Sequence, residues 1–167
     1  AALRTLLERG YLVRREEIAY RNPFALTEPV EPVAPPALSE EQSAALSTIC
    51  ALCDAGTPKA ALLHGVTGSG KTNVMLAAID HVLAGGRGVI CLVPEIALTP
   101  QTVSIYRARF GDRIAVIHSG LSGGDRRDAW RRIRDGEADV VIGTRSAVFA
   151  PLDKLGLIVM DEEQEGS

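Results

Sequence analysis

The chain has 167 residues, a net charge of −3, and 46% hydrophobic against 23% charged residues. That is room for one full domain plus a fragment. It excludes a disordered chain, and it excludes a strongly cationic one drawn to nucleic acid by its overall field. The apolar runs, such as Gly156-Leu157-Ile158-Val159-Met160, fall far short of the roughly 20 residues a membrane span needs, so no membrane partner is expected. No basic-then-apolar leader points to secretion. The sequence opens on Ala1-Ala2-Leu3, in what reads as mid-helix, and stops at Ser167 without a closing element. A piece of a longer protein is therefore expected.

In chain order, Leu3, Leu6 and Leu7 repeat with helical spacing and Gly10 can close that helix. Tyr11 to Arg15 reads as a short strand. Prolines at 23, 29, 32, 35 and 36 then forbid regular structure and favour an extended tether over 22–37. Beyond it, Ser39-Glu40-Glu41-Gln42 is a capping-box sequence, with Ala45, Leu46, Ile49, Leu52 and Cys53 on one helical face. Lys59 to Leu63 reads as a short apolar strand, and Thr72 to Ala84 as a helix closed by Gly85-Gly86. Gly88 to Val93 is a strand with both faces apolar. Pro100 suits the first turn of a helix running to Phe110. Ile114–Ile117 is a strand, 123–135 a helix, and Asp139–Ile142 and Leu157–Met160 are strands. Short, doubly apolar strands alternating with amphipathic helices predict an α/β fold: a parallel sheet covered by helices on both faces, over 38–167.

Three cysteines do not make a disulfide framework, and they fit a reducing cytoplasm. Cys50 and Cys53 have a metal-like gap, but no second pair follows. In a helical pattern they read as small core residues. Five arginines fall between Arg126 and Arg134, interleaved with Asp125, Asp128 and Asp135. A solvated helix face is the plain reading of that stretch.

Gly65, Val66, Thr67, Gly68, Ser69, Gly70, Lys71 and Thr72 match G-x-x-x-x-G-K-[ST], between a predicted strand and a predicted helix. Glycines let backbone N–H groups turn inward on phosphate oxygens, and the following helix points its positive end at the same anion. Lys71 can meet the β- and γ-phosphates of a nucleoside triphosphate, and the Thr72 hydroxyl can complete a Mg²⁺ shell. An apolar strand delivers Asp161 to the carboxyl edge of the sheet, where it is suited to hold Mg²⁺ through water. Glu162 would orient or deprotonate the attacking water.

Asp161-Glu162-Glu163-Gln164 resembles the DExH/DExQ box of superfamily-2 helicases. Val93 to Gln101, His118 to Leu121, Gly143 to Pro151 and Asp161 to Ser167 narrow the likeness to the primosomal protein N′ (PriA) family of replication-restart helicases. The resemblance covers 38–167. Residues 1–21 look, less specifically, like the tail of the winged-helix module that precedes the helicase lobes in that family.

This likeness implies a RecA-like P-loop NTPase lobe from an ATP-dependent DNA helicase that unwinds 3′ to 5′ and acts as a monomer on forked or single-stranded DNA. It implies primosome and single-strand-binding proteins as partners, in the bacterial cytoplasm at the nucleoid. Gln42 falls at the adenine-reading position. Thr99, Ser119, Gly120, Thr144, Arg145 and Ser146 fall on the DNA side. Gln164 stands where the family usually has a coupling histidine, and it keeps hydrogen bonding while losing titration. The second lobe, its arginine finger and the family's zinc module would lie beyond Ser167.

Two other readings compete. One is a double-stranded DNA translocase of the transcription-repair or branch-migration type, some of which carry glutamine at that position. The other is a DNA-structure-binding loading platform without motor activity.

Overall fold

A computed structural model describes Leu6, residues 9–11 and residues 37–161. Most of the expected winged-helix tail (1–21), nearly all of the tether (22–37), Glu162 and Gln164 lie outside the described residues. At Gly10 the backbone takes φ +73°, and Tyr11 N–H donates to Leu6 O at 3.0 Å. This is the arrangement by which a glycine ends a helix.

Within residues 37–161, the helices are α1 (Glu40–Asp54), α2 (Lys71–Ala84), α3 (Pro100–Phe110) and α4 (Gly123–Arg134), and a strand follows each of α2, α3 and α4. The strands are β1 (Gly88–Leu92), β2 (Ile114–Ile117), β3 (Val140–Gly143) and β4 (Leu155–Met160). They form one parallel sheet in the order β2-β3-β1-β4. Leu92 sits opposite Gly143 on one side and Met160 on the other.

Alternation along the strands explains the layering. Val89, Cys91, Ile114, Val116, Val140 and Ile142 face one way and pack with Ile79 and Val82 of α2 and Val103, Tyr106 and Phe110 of α3. Ile90, Ala115, Ile117 and Val141 face the other way and pack with Ile133 of α4, Ala138 and Ala147. The expected sheet covered on both faces is therefore present. Each fully buried aliphatic side chain contributes roughly 1.5–3 kcal/mol.

Local signals produce the helix starts. Ser39 Oγ accepts from Gln42 N–H at 3.2 Å, and Gln42 Oε1 accepts from Ser39 N–H at 2.9 Å, completing the capping box at α1. Thr99 and Ser122 cap α3 and α4 through their hydroxyls. The predicted apolar face of α1 is only half-buried, and no α1 residue is fully buried. Polar ties secure its C-terminal end. Arg87 Nη1 donates to Cys53 O at 2.6 Å, Arg87 Nη2 to Asp54 Oδ1 at 2.8 Å, and His81 Nε2 lies 2.8 Å from Asp54 Oδ2. The His81 hydrogen bond, with help from Arg87, holds the Asp54 carboxyl below its ordinary pKa. Arg109 of α3 clasps Asp80 of α2 through Nε at 2.9 Å and through Nη2.

One predicted element is corrected. Lys59–Leu63 forms no strand, and Leu62 is 80% exposed. Apolar spacing can nominate a strand, but a strand exists only where a neighbour takes its N–H and C=O groups. No described strand pairs with this stretch. The glycine loop thus follows an irregular segment. Trp130 is 37% exposed on α4. Ile133, one turn on, takes the inward position.

The three cysteines are free. Cys50 and Cys53 are half-buried on α1, and Cys53 packs against the core. Burial pushes the Cys91 thiol up to about 12, offset only in part by its hydrogen bond with Tyr106. A neutral-pH thiol-labelling time course should therefore modify Cys50 and Cys53 in the native protein. Cys91 should react only after denaturation. Native modification of Cys91, located by peptide mass mapping, would contradict its placement.

Candidate nucleotide and nucleic-acid site

The helix α2 ends at Ala84 and β1 begins at Gly88. A turn that short forces α2 to run back antiparallel to the strands, so its N-terminus lies at their carboxyl edge. Val66 to Ser69 form a β-turn closed by Ser69 N–H to Val66 O at 3.1 Å, with Gly68 at φ +79°. Gly70 caps α2, also at φ +79°, a conformation that disfavours any side chain.

Lys71 Nζ donates to Gly65 O at 2.6 Å and to Val66 O at 3.0 Å. The ammonium therefore lies over the mouth of its own loop, held by two carbonyls that an anion's oxygens could replace. Thr72 is exposed at the start of the helix. At the end of β4, Asp161 is half-buried, and its N–H donates to Leu92 O at 3.0 Å. The strand thus brings a carboxylate to the edge where α2 begins. A glycine loop, a cation, a helix N-terminus and a carboxylate at one edge suit a triphosphate with its Mg²⁺.

Sequence spacing gave no hint of one contact. Gln42 Nε2 donates to Ser69 O at 2.9 Å, across 27 residues. A Cβ on Gly70 would stand 2.5 Å from Gln42 Nε2, so the glycine also makes room for this side chain. With Oε1 accepting from Ser39, the amide keeps one N–H and one lone pair spare. Gln42 therefore fastens α1 to the loop and still has both polarities to offer a base edge.

On the same edge, the turns after β1, β2 and β3 carry the residues expected to face DNA. Thr99 is exposed, and its hydroxyl accepts from Thr102 N–H at 3.2 Å. Ser119 is exposed and its hydroxyl donates to Glu95 Oε1 at 2.9 Å, bracing the turn after β2 against the turn after β1. Gly120 N–H donates to His118 Nδ1 at 3.1 Å. Arg126 Nη2 donates to Ser119 O at 3.3 Å, which brings a cation from α4 to this edge.

Arg145 and Ser146 are exposed at the start of the 3₁₀ turn Arg145–Phe149. Thr144 is placed differently from the expectation of a surface contact: it is 6% exposed. Its N–H donates to Ile117 O, and its carbonyl accepts from Ala147 N–H at 2.8 Å. The cause is its position, directly following the buried β3, where the chain must turn before it can reach solvent. Arg126 and Glu95 escaped the sequence reading because an arginine among interleaved aspartates, and a lone glutamate after Pro94, look like ordinary surface charge. In the rest of the arginine-rich helix, Arg127, Arg131 and Arg134 are exposed as expected. Arg132 instead donates to Ile114 O at 3.1 Å.

The sequence pattern of the DEAD/DEAH box helicases matches residues 39–167. The chain belongs to that family. As a DEAD/DEAH box chain its parallel sheet is a RecA-like helicase lobe, and the family implies use of a nucleotide with Mg²⁺. Among curated proteins, the replication restart protein PriA of Bacillus subtilis is 47% identical over 172 residues, covering 100% of this chain and 21% of that protein. The PriA of a Synechocystis species is 57% identical over 106 residues, covering 64% and 13%. That of Treponema pallidum is 53% identical over 131 residues, covering 78% and 20%. The replication-restart resemblance drawn from the motifs is thereby shown, and this helicase lobe spans about a fifth or less of the length of these relatives. No described helix is long and apolar enough to cross a membrane.

Proposed function

We propose that the protein of which this lobe is a part is an ATP-dependent DNA helicase of replication restart. It would unwind forked DNA 3′ to 5′ in the bacterial cytoplasm, with primosome and single-strand-binding proteins as partners. The observation that carries this reading is the Lys71 ammonium, held over a positive-φ glycine loop at the N-terminus of α2. The Glu95–Ser119 bridge, Arg126 and Arg145 share the same sheet edge.

When bound, ATP·Mg²⁺ supplies the phosphoanhydride bond whose cleavage drives the cycle. Lys71 exchanges two carbonyls for β- and γ-phosphate oxygens, and the N–H groups of 65–72 face the phosphate chain. Thr72 and Asp161 would hold the metal, and Glu162 would orient the attacking water. Gln42 offers its spare donor and acceptor to adenine, while Gln164 links the nucleotide to the DNA side by hydrogen bonding. Thr99, Ser119, Gly120 and Ser146 supply short polar contacts and Arg145 a cation to the strand backbone.

Polarity tests the proposal directly. The full-length protein should separate a partial duplex carrying a 3′ single-stranded tail and leave its 5′-tailed counterpart paired. It should do so only with hydrolysable nucleotide and Mg²⁺. Equal action on both substrates, or action without hydrolysis, would overturn the proposal.

A further inference from the structure

Residues 37–161 contain four aromatic side chains. Tyr106 and Phe110 are buried beneath the sheet, with ring centroids 6.4 Å apart. Trp130 lies half-covered along α4. Phe149 alone stands at the carboxyl edge, 75% exposed.

Its exposure is imposed by the backbone. Ala147 is fully buried under β3, and its N–H donates to Thr144 O at 2.8 Å. Ala150 N–H then donates to Ala147 O at 3.0 Å, and Leu152 N–H to Ala150 O at 2.8 Å. A 3₁₀ turn pinned inward at Ala147 and closed again at Ala150 cannot fold the ring of Phe149 into the core. Four residues earlier on the same turn, Arg145 is exposed, and no hydrogen bond or ion pair ties it to another described residue. Ile96, on the adjacent turn after β1, is 77% exposed. The edge therefore presents an exposed guanidinium, a ring face and an aliphatic side chain. That combination matches a nucleotide of an unpaired strand, which offers a phosphate and a π face.

We propose that Phe149 is a stacking platform for a nucleobase of single-stranded DNA, while Arg145 meets the strand's phosphate. The inference rests on the DNA reading above and deepens it by naming a base contact among residues otherwise suited to the backbone. Stacking is tolerant of sequence because every base has a face, so Phe149 adds affinity without adding base preference.

The test compares two fluorescein-labelled probes on the full-length protein: an oligo(dT), and a strand of equal length with abasic sites throughout. Phe149→Ala should weaken oligo(dT) binding about tenfold, the order expected for one stacked base, and leave abasic binding unchanged. Phe149→Trp should retain oligo(dT) binding, and Arg145→Ala should weaken both probes. The proposal is overturned if Phe149→Ala leaves oligo(dT) binding intact. It is equally overturned if that variant weakens both probes alike, because the ring would then serve the fold or another part of the protein. A thermal melt of Phe149→Ala unchanged from the parent keeps the comparison clean. Should the parent protein bind neither probe, the DNA reading itself fails, an outcome distinct from loss of the base contact alone.

Discussion

Lys71→Ala is expected to reduce nucleotide hydrolysis by about 10²-fold or more, the order lost when one charge-stabilising donor is removed from a phosphoryl- or acyl-transfer site. The side chain is positioned for that role before any nucleotide arrives. Its ammonium sits on Gly65 O and Val66 O at 2.6 and 3.0 Å, so binding exchanges hydrogen bonds without recruiting a distant group. Truncation removes the only cation of the loop and leaves the backbone N–H groups and the α2 terminus in place. Residual nucleotide binding should therefore survive, weakened, while turnover falls much further. DNA-stimulated phosphate release and calorimetric nucleotide titration on the full-length protein separate the two effects. Turnover equal to the parent's would remove the basis for the proposed motor. DNA unwinding that persisted in this variant would favour a loading platform over a helicase.

A methyl group at position 143 should be the most damaging single-atom addition to the sheet. A Cβ on Gly143 would lie 2.0 Å from Ile117 O, 3.0 Å from Ile117 C and 2.7 Å from the Ala147 Cβ. The obstacle is backbone, which cannot swing aside as a side-chain tip could. Relief requires β2 to separate from β3, which also breaks the hydrogen bond from Thr144 N–H to Ile117 O. Overpacking and the lost buried hydrogen bond together place the cost of Gly143→Ala at about 3 kcal/mol or more. In a domain of this size that corresponds to a fall of roughly 10 °C in melting temperature. Gly123→Ala is the matched control. A Cβ there meets nothing within 4 Å and opens α4 at ordinary φ, so its melt should match the parent's. A Gly143→Ala melt equal to the parent's would show that the β2–β3 contact is looser than described.

The distinction between those two glycines could not have been read from the chain, since both lie near a predicted element boundary. Most of the elements themselves could. Pro100–Phe110 and Ile114–Ile117 begin and end where apolar spacing and the N1 proline put them. The Ser39–Gln42 box closes as its spacing requires. These signals are local: a cap, a proline, a period of two or of three to four, each acting within a few residues. Lys59–Leu63 failed for the complementary reason, because its apolar run says nothing about who would pair with it.

The same division runs through the site. Spacing alone picked out the glycine loop of residues 65–72, because positive-φ glycines followed at once by lysine and a helix form a device complete within a single turn. Spacing also placed Asp161 at a strand end. Only the folded chain decided that Gln42 reaches Ser69 over 27 residues, that Ser119 is braced by Glu95, and that Thr144 is sealed while Arg145 and Phe149 face out. Those outcomes depend on which strands became neighbours. The order β2-β3-β1-β4 arises from packing two opposite apolar faces at once, a condition that no local stretch of sequence contains.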